Sequence, residues 1–132
     1  MSHNEAAREP SRDPLARMRV YQIARELVSD CWDDARLLRA DPLTLEISGQ
    51  LYSSVSSIPA NLGEGYSRSS GKDRARIFEY SLGSVRECME WYRAAQPVIG
   101  AERTTNRLDR LEEMRRMLLA IIPRERGRPM SK

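Results

Sequence analysis

The sequence predicts an all-α fold, an antiparallel up-down-up-down four-helix bundle. Three observations point there. Apolar residues recur at spacings of three and four in four separate stretches, the repeat of a helix with one buried face. Short links carrying Pro, Gly, Ser and Asp separate the stretches, and short links favour antiparallel neighbours. No stretch alternates apolar and polar residues with the period of a strand.

Residues 1–17 carry charges of both signs, two prolines and no periodic apolar face. They read as a disordered N-terminal arm. The first helix is expected from about Met18 to Leu38, with Val20, Ala24, Leu27, Cys31, Ala35 and Leu38 on one stripe. Tyr21, Val28 and Trp32 widen that stripe to the breadth a bundle core needs. Asp41-Pro42 ends it, because a residue before proline avoids the α region.

The second helix is expected to start at Thr44 as N-cap and to bury Leu45, Ile47, Leu51, Val55, Ile58 and Leu62. Pro59 removes one backbone hydrogen bond, so the helix must kink there or restart with Pro59 in its first turn. Gly63 and Gly65 are candidates for a left-handed C-cap. The third helix has the clearest start, with Ser70 as cap and Asp73 three residues on. Its stripe is Phe78, Leu82, Val85, Met89 and Tyr92, and its small residues Ser81, Gly83 and Ser84 would admit a close neighbour. It is expected to end before Pro97. The fourth helix is expected from Thr104-Thr105-Asn106 to Ile122, with Leu108, Leu111, Met114 or Arg115, Leu118 and Ile121 or Ile122 on its inner face and Pro123 as its stop. The bundle thus occupies 18–122, and 123–132 forms a basic flexible tail.

Composition narrows the function. The 132 residues suffice for one domain with a core. Charged residues make up 31% and the apolar ones 40%, which suits helices with a wide solvated face. No run approaches the length of a membrane span, no secretory h-region opens the chain, and a cytoplasmic location is the expectation. Cys31 and Cys88 lack metal-ligand spacing and read as reduced, partly buried thiols. His3 is the single histidine. Adjacent acids such as Asp33-Asp34 and Glu112-Glu113 point about 100° apart on a helix and cannot share a proton or metal. No catalytic constellation, metal site or cofactor site is therefore expected, and the protein reads as a non-enzyme.

Twenty of the 22 basic residues are arginine, and the excess of positive charge lies in 101–132 and around Arg68, Lys72, Arg74 and Arg76. Arginine clusters neutralise phosphates, and they equally form salt bridges and solvate helices. The segment Ser57–Arg68 gathers polar residues at a proline-disturbed helix end. Its two readings are a hydrogen-bonded plug serving backbone groups freed by Pro59 and a surface for a partner.

That segment, SIPANLGEGYSR, followed by GKDRARIFEYSLGSVRE, resembles the four-helix-bundle family of 23S ribosomal RNA intervening sequences. The shared positions are Ser57, Ile58, Pro59, Asn61, Glu64, Gly65, Arg68, Phe78, Gly83, Ser84 and Glu87, and Val20–Ala24 resembles the opening of the family's first helix. The resemblance implies a homo-oligomer, a ring-shaped pentamer, with no known enzymatic activity. It also implies a distant relation to the basic accessory proteins of diversity-generating retroelements, which assist a reverse transcriptase and its RNA. One departure is visible: Tyr52-Ser53 stand where the family often has two arginines after Gln50-Leu51.

On this reading the chain is an oligomeric scaffold or adaptor that binds RNA, DNA or a nucleic-acid enzyme. Arg68, Lys72, Arg74 and Arg76 would contact phosphates, supported by Arg124, Arg126 and Arg128. The alternative is a protein-interaction module without nucleic-acid binding. Trp32, Trp91 and Tyr66 are candidates for a self-association surface, with core placement of either tryptophan the other reading.

Overall fold

The computed structural model describes residues 13–128. Four helices follow a short 3-10 turn at Pro14–Arg17: α1 (Arg19–Arg39), α2 (Leu45–Tyr66), α3 (Gly71–Ile99) and α4 (Ala101–Arg126). They form an antiparallel up-down-up-down bundle in which each helix packs chiefly against its chain neighbours. The closing seam between α1 and α4 is thinner.

The stripes predicted from spacing form the core. Leu27, Cys31, Leu51, Ile58, Leu62, Phe78, Val85, Tyr92, Leu111, Met114 and Leu118 are all buried, and Cys88 joins them from beside the expected α3 stripe. Each large apolar side chain removed from water contributes about 1.5–3 kcal/mol, which sets the phase of every helix. Leu82 is only partly buried, and Trp32 and Leu45, placed on inner stripes by spacing alone, are exposed. They lie at the margins of stripes broader than the bundle can cover.

The links explain the helix ends. Asp41 Oδ1 accepts from the Leu43 amide at 2.9 Å, closing the turn after α1. Thr44 precedes α2, yet its hydroxyl does not cap that helix. It donates to the Leu38 carbonyl at 2.7 Å and ties the start of α2 to the end of α1. Ser70 does cap α3, accepting from the Asp73 amide at 3.1 Å. Gly100 alone joins α3 to α4, and its φ of 90° is one that other residues resist.

Two proline expectations are corrected, at Pro97 and Pro123, and of the two alternatives at Pro59 the restart is excluded, because α2 runs unbroken through it. α3 passes Pro97, where the sequence predicted its end, and stops at Ile99. α4 begins three residues before Thr104 and passes Pro123 to Arg126, so the first part of the expected tail is helical. Each proline costs one backbone bond, while Ala95 and Ile99 around Pro97, and Ile122 and Glu125 around Pro123, are buried against neighbouring helices. Packing of the final turn outweighs the lost bond. At the other terminus the arm expected over 1–17 contains the ordered turn Pro14–Arg17; residues 1–12 and 129–132 lie outside the described part.

Gly65 is likewise not a left-handed cap. It is helical and buried, and a Cβ there would stand 2.8 Å from the Phe78 ring. Its role is close approach between α2 and α3. Of the small residues on α3, Ser81 is buried and donates to the Ile58 carbonyl at 3.1 Å, whereas Gly83 faces outward with nothing within 4 Å of a Cβ position.

Candidate nucleic-acid interface at one end of the bundle

The up-down topology brings the C-terminus of α2, the N-terminus of α3 and the C-terminus of α4 to the same end. Two basic groups far apart in sequence meet there. The joint between them is close: a Cβ on Gly71 would lie 2.0 Å from the Glu125 carbonyl oxygen and 3.0 Å from the Arg128 Cβ. Arg74 of α3 donates through Nε to Glu125 of α4 at 2.8 Å, with side chains only 12% and 11% exposed. Arg74 also donates to the Arg68 carbonyl at 2.9 Å, fastening the α2–α3 link.

The other basic residues lie around this joint with differing freedom. Arg68 pairs with Glu64, and Arg126 with Glu79 across two helices. Arg128 meets Glu125 at 2.8 Å, and Arg76 lies 3.7 Å from Asp73 and over the Tyr80 ring. Lys72 and Arg124 are exposed, and the acids of this end that form ion pairs among the described residues pair with other arginines. All seven basic residues singled out by the sequence therefore share one end, with Glu64, Asp73, Glu79 and Glu125 set among them.

The motif residues divide in the same way. Ser57 donates to the Ser54 carbonyl at 2.7 Å and lies 2.6 Å from the Ser84 hydroxyl, a bond between α2 and α3. Pro59 and Asn61 are half-buried in α2, and Gly65 seats Phe78. Glu87 is exposed and accepts from the Trp91 indole at 3.1 Å. Gly83 has no such part within the chain. Most of the Ser57–Arg68 segment thus serves helix packing, and the exposed fringe at its end holds Glu64, Tyr66, Ser67 and Arg68.

The opposite end holds a polar cluster that the sequence-based expectations did not include. Asp34 is fully buried and accepts from the Tyr92 hydroxyl at 2.7 Å, Arg107 Nε at 2.8 Å and Arg103 at 3.3 Å. Asp30 accepts from Arg110 at 2.6 Å. These bonds join α1, α3 and α4 and close the thin seam. Burial opposes charge on Arg107, and the bond and attraction to Asp34 outweigh it, so its pKa is raised. Burial raises the Tyr92 hydroxyl and the Cys88 thiol, and pushes Cys31 up to about 12 despite its bond to Tyr92. Such thiols are poor nucleophiles. A signal was present: Asp34 occupies the stripe of Leu27, Cys31 and Leu38, where an acid demands a buried partner.

Among the described residues no group of acids, cysteines or histidines is placed to hold a metal, and no helix is long and apolar enough to cross a membrane. Fold and charge together define a small four-helix-bundle protein with a buried ion-pair cluster at one end and a basic group of ion pairs at the other. The family model for the 23S rRNA-intervening sequence protein matches residues 16–120, and the chain belongs to that family. In structure it is similar to a protein of unknown function from the S23 ribosomal protein family of Bacteroides thetaiotaomicron. The TM-score is 0.72 at 21% identity, over 78% of this chain and 97% of the other. No curated protein matches the chain.

Proposed function

We propose that this chain is a non-enzymatic, self-associating scaffold, a pentamer, whose basic end engages the phosphates of RNA or DNA, alone or alongside a nucleic-acid enzyme such as a reverse transcriptase. The observation that carries the reading is the convergence of Arg68, Lys72, Arg74, Arg76, Arg124, Arg126 and Arg128, from three helices, on one end of the bundle. Seven basic groups against four acidic ones leave a positive face, and several arginines there have only exposed partners that screening weakens.

The measurement is fluorescence polarisation of a labelled single-stranded RNA and a labelled DNA duplex across a salt series. Phosphate contact predicts a log–log slope of about −0.7 per contact for the single strand. Lys72→Ala and Arg124→Ala should each weaken every sequence about equally and flatten that slope by about one contact. Arg74 is not a suitable test of contact, because its guanidinium is committed to Glu125. Absence of salt-sensitive binding by the purified chain refutes the phosphate reading.

A second reading is favoured by a different observation. Among the described residues, four of the seven exposed large apolar side chains, Trp32, Leu37, Leu43 and Leu45, belong to the last two turns of α1, the link that follows and the first turn of α2. Exposed apolar side chains at that corner suit a protein partner. A partner whose capture survives nuclease treatment and requires Trp32 supports an interaction module in place of a nucleic-acid binder.

A further inference from the structure

The α1–α2 corner carries an open groove far from the basic end. Trp32, Arg36 and Arg39 of α1 and Gly49 and Tyr52 of α2 line it, and it holds about 550 Å³, within the range of small-ligand sites. Tyr52 meets Trp32 edge-on, with ring centroids 5.5 Å apart. That contact leaves Trp32 46% exposed, so aromatic surface remains open for a planar ligand. Gly49 has nothing within 4 Å of a Cβ position, which keeps the space beside the rings free. Gly49 and Tyr52 lie in the first third of α2, at the end remote from Arg68.

The groove is charged along one side. Arg36 and Arg39 follow Trp32 by four and seven residues, which at 100° per residue keeps all three within about 60° of one direction. They rise about 6 and about 10 Å beyond Trp32 along α1. Both are exposed and form no ion pair among the described residues, whereas Arg103, Arg107 and Arg110 at the same end pair with Asp30 and Asp34. Among the described residues no carboxylate lines the groove. A place in the last turn of α1 suits the helix dipole, but that role needs neither an open aromatic face nor a groove beside it.

The geometry points to a site for a free nucleoside monophosphate. The base stacks on the open surface of Trp32 beside the Tyr52 wall. The phosphate, one sugar away, meets Arg36 and Arg39, whose planar guanidiniums pair with phosphate oxygens two at a time. A free nucleotide fits better than a strand. Strand-binding surfaces repeat their stacking platforms along a basic track, and this groove has one aromatic pair and one pair of arginines. The site is separate from the seven basic residues at the other end, so either assignment can fail without the other.

Titration of Trp32 emission with AMP, in a Trp91→Phe background, tests this. AMP should quench the emission saturably. Adenosine and ribose phosphate, read by competition, should each bind at least about tenfold more weakly, since each lacks half of the contact. Arg36→Ala with Arg39→Ala should weaken AMP binding at least about tenfold with helical circular dichroism unchanged. Gly49→Leu fills the groove and raises helix propensity, so it should abolish binding in a folded chain. No quenching by millimolar AMP overturns the inference, as does quenching that survives Gly49→Leu or is matched by adenosine. An oligoadenylate without a terminal phosphate that binds far more tightly than AMP assigns the groove to a strand and likewise overturns it.

Discussion

The two ends of this bundle use the same chemistry to opposite purpose. At one end Asp34, fully buried, holds Arg107 at 13% exposure together with Tyr92, and the cluster closes the α1–α4 seam. At the other, Arg68, Arg76 and Arg126 meet Glu64, Asp73 and Glu79 with both partners of each pair about half in water. Arginine–carboxylate pairs occur at both ends, but only the buried ones are committed. The Arg74–Glu125 pair shows that the distinction follows burial rather than location, since it lies among exposed pairs and is itself nearly enclosed.

The largest expected effect sharpens this contrast. Asp34→Ala strands Arg107 and the Tyr92 hydroxyl in a desolvated site and should cost about 3–5 kcal/mol in chemical denaturation. Glu64→Ala, breaking an exposed pair, should cost less than about 1 kcal/mol. Equal losses from the two substitutions would break the comparison.

A steric pair comes next. Gly71→Ala drives a methyl group to within 2.0 Å of the Glu125 carbonyl, forcing α3 and α4 apart at the basic end at a cost of about 1–3 kcal/mol. Gly83→Ala meets nothing within 4 Å and should raise stability by up to about 1 kcal/mol through helix propensity alone. Thermal unfolding of the two variants should move in opposite directions.

Thiol chemistry reads the buried end directly. Burial pushes Cys31 up to about 12 and raises Cys88, so at a mildly alkaline pH of about 8 a disulfide reagent should label neither in the native protein. Labelling should instead follow the unfolding rate, and Asp34→Ala should accelerate it.

The smallest effect is on acid. The hydrogen bond from Arg115 lowers the Glu112 carboxyl to about 2, aided by Arg116. Its pKa falls on folding, so its contribution is present above the ordinary carboxylate range and is lost as pH drops through about 2. Carboxyl carbon shifts by NMR should show the Glu112 carboxyl still ionised at a pH of about 3.

What could be read from sequence was local. The Ser70 cap, the stripes of Leu27, Leu51 and Leu118, and the boundaries of α1 depend on residues within one or two turns. The Pro97 and Pro123 stops failed because the helix end is decided by what Ile99 and Glu125 touch, and those partners are distant in sequence. At the candidate interface, the choice of seven basic residues was legible from composition, but the commitment of Arg74 to a residue 51 positions away was not. The Asp34 cluster was hidden for the same reason, since its partners lie 58 to 73 residues along the chain.

Gly100 is a single-residue corner between two long helices. Beyond it α4 extends 26 residues, a rod of about 39 Å. A swing of only about 10° at that corner would sweep Arg126 through about 7 Å, and one inserted residue would turn the whole rod by about 100°. Contact along α3, ending in the Gly71 approach and the Arg74–Glu125 pair, forbids such a swing, so the direction in which the tip arginines point is fixed at both poles of the rod.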